Sequence, residues 1–211
     1  MKKILRFLYC EEINIQKENC LSILEASDEL GIDELQEHCI NEILKLINEN
    51  NGCKEFENSR LRSIQLSNSI KKLIEADTID YLEKGIQFLS KESLIEILKS
   101  NIEISEDDLF NLVWKIWIPS QLNLTKKNNN DQENKKELMK ELTPYIRFEL
   151  MTADFLTDII EPLEILDMNT LYNTLKSISN TKLSSKIKPR ESSMFSKKSK
   201  QKKKKIINTF I

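Results

Sequence analysis

The chain has one imidazole for acid–base chemistry, His38, set in the polar run ELQEHC. A general base needs a nucleophile within hydrogen-bond reach and a third group to orient it, and no Ser or Cys is tied to His38 by such a motif. A solvated or rim histidine is therefore the better reading. Four cysteines, Cys10, Cys20, Cys39 and Cys53, are widely spaced with no CxxC, and a single histidine cannot complete a Cys/His zinc set. They lie on or beside apolar helical faces, which predicts reduced, buried thiols rather than a disulfide framework. The carboxylate pairs Glu11-Glu12, Asp28-Glu29 and Asp107-Asp108 are expected at turns or in first helical turns, where negative charge suits the helix dipole. No Gly-rich phosphate loop is present. Neither an enzyme, a cofactor, a metal nor a small-molecule substrate is expected.

The strongest charge feature is C-terminal. Beyond Thr181 there are eleven Lys or Arg against Glu191 alone, so of a net charge of -2 that stretch carries +10 and residues 1–181 about -12. Lys197, Lys198, Lys200, Lys202, Lys203, Lys204 and Lys205 form a basic run that could bind importin, nucleic acid or an anionic surface, or have no partner at all. No aromatic residue is interleaved, so stacking on single strands is unsupported. Residues 182–211 are read as a basic disordered tail.

Around these features the text is helical. Three Gly and four Pro in 211 residues argue against an all-β sandwich. Glu18 to Ile47 reads as two antiparallel amphipathic helices, with Cys20, Ile23, Leu24, Ser27 and Leu30 on one face and Leu35, Cys39, Ile43, Leu46 and Ile47 on the other. Gly31 supplies the left-handed break, Asp33 is placed to cap the second helix, and Gln36 could reciprocate. Ile13-Asn14-Ile15 alternates as a very short strand would. Asn48 to Arg60 reads as a polar linker, followed by a helix over about Leu61–Ala76, a turn over Asp77–Tyr81, and a helix capped by Ser90. Ser105 is a further cap, before a helix whose Leu109, Phe110, Val113, Trp114 and Trp117 read as core and which Pro119 is expected to stop. Residues 123–136 read as a disordered loop, helix resumes at Glu137, Thr152 caps a helix carrying Phe155, Leu156, Ile159 and Ile160, and a final helix spans about Met168–Ile178. The fold class expected is all-α, helical hairpins with at most one very short strand. No apolar run approaches the ~18–20 residues a bilayer crossing needs, and a cytoplasmic or nuclear location is expected.

Leu5, Leu8 and Tyr9, then the short strand, then Asn19, Leu24, Ala26, Asp28, Leu30, Leu35 and Cys39, resemble the C-terminal third of a BTB (POZ) domain. Cys10-Glu11 replaces the small residue and Gly usual in that family. Further on, Phe88, Leu89, Leu94 and Leu98, then Ile102, Ile104, Glu106, Asp107, Leu109, Phe110, Trp114 and Trp117, and finally Ile146-Arg147-Phe148 with Leu150-Met151, are similar to the BACK domain that commonly follows BTB.

The resemblance implies a BTB fragment over 1–49, a BACK-like helical domain over 59–178 and the tail over 182–211. It implies an adaptor of a cullin-RING ubiquitin ligase, with a cullin or another BTB protein and an unidentified client as partners. Tyr9 and the loop bearing Glu11 and Glu12 are the contact residues it implies; the alternative is that Tyr9 packs the helix end. The upstream BTB half, with its dimer interface and central sheet, is expected to be missing, which would weaken such binding. The other reading is a helical scaffold or nuclear protein whose tail binds importin or nucleic acid, with no membrane contact.

Overall fold

Periodic apolar faces of only two to four residues each force short helices to share one core rather than build separate ones. A computed structural model of the chain, which describes residues 15–16, 19–122 and 131–181, has that architecture. The described residues are helical with no strand. The Ile13–Ile15 segment lies almost wholly outside them, as do Tyr9, Glu11, Glu12 and the lysine run.

Helices α1 (Cys20–Leu30) and α2 (Asp33–Lys45) form the anticipated hairpin. Gly31, at φ 65°, ends α1 in the left-handed region, and the Ile32 amide donates back to Ser27 O at 2.9 Å. The capping expected of Asp33 and Gln36 does not form. Ile32 occupies the cap position with no side-chain bond, and Asp33 is the first helical residue. Gln36 instead turns inward, 3% exposed, and its Nε2 donates to Ser27 O at 3.2 Å. Leu30 and Leu46 also depart from the expected inner faces, since each lies at the end of its helix and points outward.

The expected linker contains a helix, α3 (Gly52–Ser59). Its asparagines serve the turn before it: Asn51 Oδ1 accepts from the Asn48 amide and its Nδ2 donates to Leu46 O. Cys53 and Phe56, one turn apart, are fully buried. Helix α4 (Ile64–Ala76) starts at Ser63, whose hydroxyl accepts from the Leu66 amide, and the expected turn at 77–81 is the beginning of α5 (Thr78–Gly85). A 3-10 turn, Ile86–Phe88, leads to α6 (Lys91–Lys99), capped by Ser90 as expected. Glu57 reaches from α3 to accept from the Ser90 amide at 3.0 Å, and Arg60 donates to Ser93 Oγ at 2.8 Å. These bonds tie α3 to the start of α6.

Ser105 caps α7 (Glu106–Leu112), which passes through a π-helical stretch, Val113–Trp117, into α8 (Ile118–Gln121). Pro119 therefore does not end the helix. Proline removes an amide donor and crowds the carbonyl four residues back, and the wider π turn relieves both. The same device recurs in α10 (Ala153–Phe155), where π stretch Leu156–Ile160 precedes α11 (Glu161–Leu163) with Pro162 in its first turn. Between them, α9 (Asp131–Leu142) begins six residues before the expected Glu137. Residues 131–136 are thus helical, not loop, while 123–130 lie outside the described residues. Helix α12 (Met168–Thr181) closes the described chain. The buried apolar residues form one core running from Cys20 to Leu171. No described helix is long and apolar enough to cross a membrane.

Candidate protein-interaction surface

Among the described residues, the histidine and the thiols are either solvated or sealed. His38 stands exposed on the outer side of α2. Cys20, Cys39 and Cys53 are buried free thiols. Burial pushes Cys39 up to about 11, with Cys20 beside it adding to the effect, and Cys53 up to about 12. Both are protonated at neutral pH and hence poor nucleophiles. The sulfur of Cys53 lies 3.3 Å from Tyr81 O, inside the α3–α5 contact.

The carboxylates have structural work. Asp107 accepts from the Thr152 amide at 3.2 Å and from its hydroxyl at 2.8 Å, while Glu106, buried beside it, accepts from the Arg147 amide. The pair thus anchors the 147–152 segment to the first turn of α7. Asp108 sits in the same first turn, as expected. Asp28 and Glu29 do not: they occupy the last turn of α1, where the dipole disfavours them, and solvent screens both. Glu49, Asp77 and Asp80, which no sequence spacing linked, bring carboxylate oxygens within 4.8 Å of one another. Asp77 immediately precedes α5 and Asp80 lies in its first turn, so the positive end of that helix accounts for both. Partly exposed carboxylates gathered in this way are common without an ion, and no metal centre is assigned. A groove of about 220 Å³ lined by Leu122, Asn134, Glu137, Leu138 and Glu141 brings together no nucleophile and base.

Apolar side chains left in water are the more informative feature. Leu61 is 97% exposed and Ile64 77%, although the helix expected over about Leu61–Ala76 contains both. The reason is the cap: Ser63 starts the helix, so Leu61 precedes it and Leu66, Ser67, Ile70 and Ile74 become the inner face. Arg62, between the two, comes within 3.9 Å of Glu25 on α1, so this corner lies next to the hairpin. At the hairpin tip Leu30 is 59% exposed among Asp28, Glu29, Asp33 and Glu34. A single exposed apolar side chain is ordinary on a domain surface; Leu61 and Ile64 are of interest because they stand close together in sequence at one corner beside the hairpin.

Residues 1–46, which contain this hairpin, match the family model of the BTB/POZ domain. Over 187 residues, 86% of the chain, the sequence is 24% identical to BTB/POZ domain-containing protein 9 of Drosophila melanogaster. The chain spans 24% of that relative's length. The segment around α1 and α2 is therefore similar to a protein–protein interaction module.

Proposed function

We propose that the chain is a non-enzymatic adaptor of the BTB–BACK type, which joins a client to a cullin-type ubiquitin ligase. The observation that carries this reading is the exposed pair Leu61 and Ile64, standing beside the BTB-like hairpin where a partner that docks on the hairpin would also meet them. The helices over 59–178 act as a BACK-like spacer with a second partner-facing surface. In this reading Leu61 and Ile64 supply the apolar anchor of the contact, and the acids around Leu30 its polar rim. Tyr9, Glu11 and Glu12 extend the contact along the same BTB-like segment.

A pull-down with the N-terminal region of a cullin tests the proposal. Wild type is expected to be retained, with Tyr9→Ala and Leu61→Glu each reducing capture. Capture lost only when residues 182–211 are deleted would replace this reading with one based on the lysine tail.

A further inference from the structure

The apolar stripe of α12 is wider than the body beneath it. At 100° per residue, Ile178, Leu171, Leu175, Met168 and Tyr172 fall in that angular order over an arc of about 120°. The body covers one side of the arc, where Leu171 is buried and Leu175 and Ile178 half-buried. On the other side Met168 is 70% exposed and Tyr172 65%, one turn apart. The approach to this flank is acidic: Asp158, Glu161, Glu164 and Asp167 are exposed, and no Lys or Arg falls among residues 158–167. Lys136 pairs with Glu164 at 3.0 Å, and Asp167 holds the Thr170 amide and hydroxyl at the head of α12.

We infer that residues 202–211 of the same chain, KKKKIINTFI, dock on this flank of α12, with the lysines over the acidic approach and the isoleucines and Phe210 against Met168 and Tyr172. The complementarity is of two kinds at once. A run of four lysines meets the carboxylates before α12, and directly after it come the apolar residues that match an unpartnered apolar flank. Reach does not limit the contact. From Thr181 to Lys202 the chain can extend up to about 70 Å, against about 21 Å for the length of α12. The connection also makes the encounter intramolecular.

Oxidation of Met168 by hydrogen peroxide, followed by peptide mass spectrometry, reads the flank directly, because a covered thioether oxidises more slowly. Met139 and Met151, both in the core, serve as internal references for an intact fold. The full chain is expected to oxidise Met168 about three times more slowly than a chain lacking residues 202–211, as a flank covered about two-thirds of the time would. Replacing Ile207 and Phe210 by Asp in the full chain is expected to restore the fast rate, and salt at about 0.5 M to restore part of it. Equal rates in all three proteins would overturn the inference. So would protection that rises with protein concentration, since the occupant would then be a second copy.

Discussion

The indole Nε1 of Trp117 donates to the carbonyl oxygen of Leu89 at 2.9 Å, with the whole side chain sealed in the core. Gln121 Nε2 reaches the same oxygen at 3.3 Å. One carbonyl just before the cap of α6 thus fixes the π stretch and α8 against the centre of the body. Trp114, three residues earlier, sits on the flank instead, half-buried, stacked at 6.2 Å on Phe110 with Lys135 Nζ 6.0 Å from its ring.

Trp117→Ala is accordingly expected to cost about 3–5 kcal/mol, and Trp117→Phe about 1–3 kcal/mol from the lost indole hydrogen bond and lost volume, with Gln121 still donating to the Leu89 carbonyl. Trp114→Ala should cost less than half of the Trp117→Ala value. Urea unfolding of the three variants checks the order, and equal losses at the two tryptophans would contradict it.

Gln36 ties α2 to the end of α1 where a cap had been expected. Gln36→Ala is expected to destabilise the protein by about 1–2 kcal/mol, as loss of a buried hydrogen-bond partner does. Asp33→Ala should lie within about 0.5 kcal/mol of wild type, since its side chain caps nothing. Chemical denaturation of both variants separates the two outcomes; a larger loss at Asp33 would restore the capping box.

Three glycines should fail differently. A Cβ on Gly52 would lie 2.2 Å from the buried Tyr81 ring, and one on Gly85 2.7 Å from Cys53 Cβ. Gly52→Ala and Gly85→Ala are each expected to cost about 1–3 kcal/mol through overpacking. A Cβ on Gly31 meets nothing within 4 Å, and its cost is conformational, from φ 65°. Gly31→Asn should therefore be milder than Gly31→Ala, because Asn tolerates the left-handed region. Thermal melts read all four variants, with equal Asn and Ala effects at Gly31 counting against the conformational cause.

Cys39 and Cys53, raised from an ordinary 9.0 to about 11 and about 12, favour their protonated forms in the fold. Above pH 9 the unfolded chain ionises these thiols while the folded one does not, so protons leave on unfolding. Their contribution is fully present below pH 9 and declines as pH rises through 9 to 11 and beyond. Denaturant midpoints measured from pH 8 to 10.5 should fall in wild type and fall less in Cys53→Ala. A slope unchanged by that substitution would show that the decline arises elsewhere.

The α1–α2 hairpin and the caps at Ser90, Ser105 and Thr152 were legible because each rests on a local signal: a glycine break or a hydroxyl three residues before an amide. What sequence hid was decided over distance. Helix α3 shows only Cys53 and Phe56 as apolar anchors, and its burial depends on glycines at 52 and 85 meeting neighbours far along the chain. Pro119 reads as a terminator until a π stretch is allowed for. Trp114 and Trp117 share one stripe by periodicity, but the wider π turn redistributes that face and seals only the second. Of the candidate surface, the hairpin was readable, whereas the exposure of Leu61 followed from where Ser63 begins α4.

The corner bearing Leu61 and Ile64 is proposed as a docking face. Calorimetric titration of the N-terminal region of a cullin into wild type and into a Leu61→Glu, Ile64→Glu double variant examines this face, with melting temperature as control. At least about a tenfold loss of affinity, roughly 1.4 kcal/mol, is expected in the double variant, with melting unchanged because both side chains already stand in water. Equal affinity in the two proteins would contradict it.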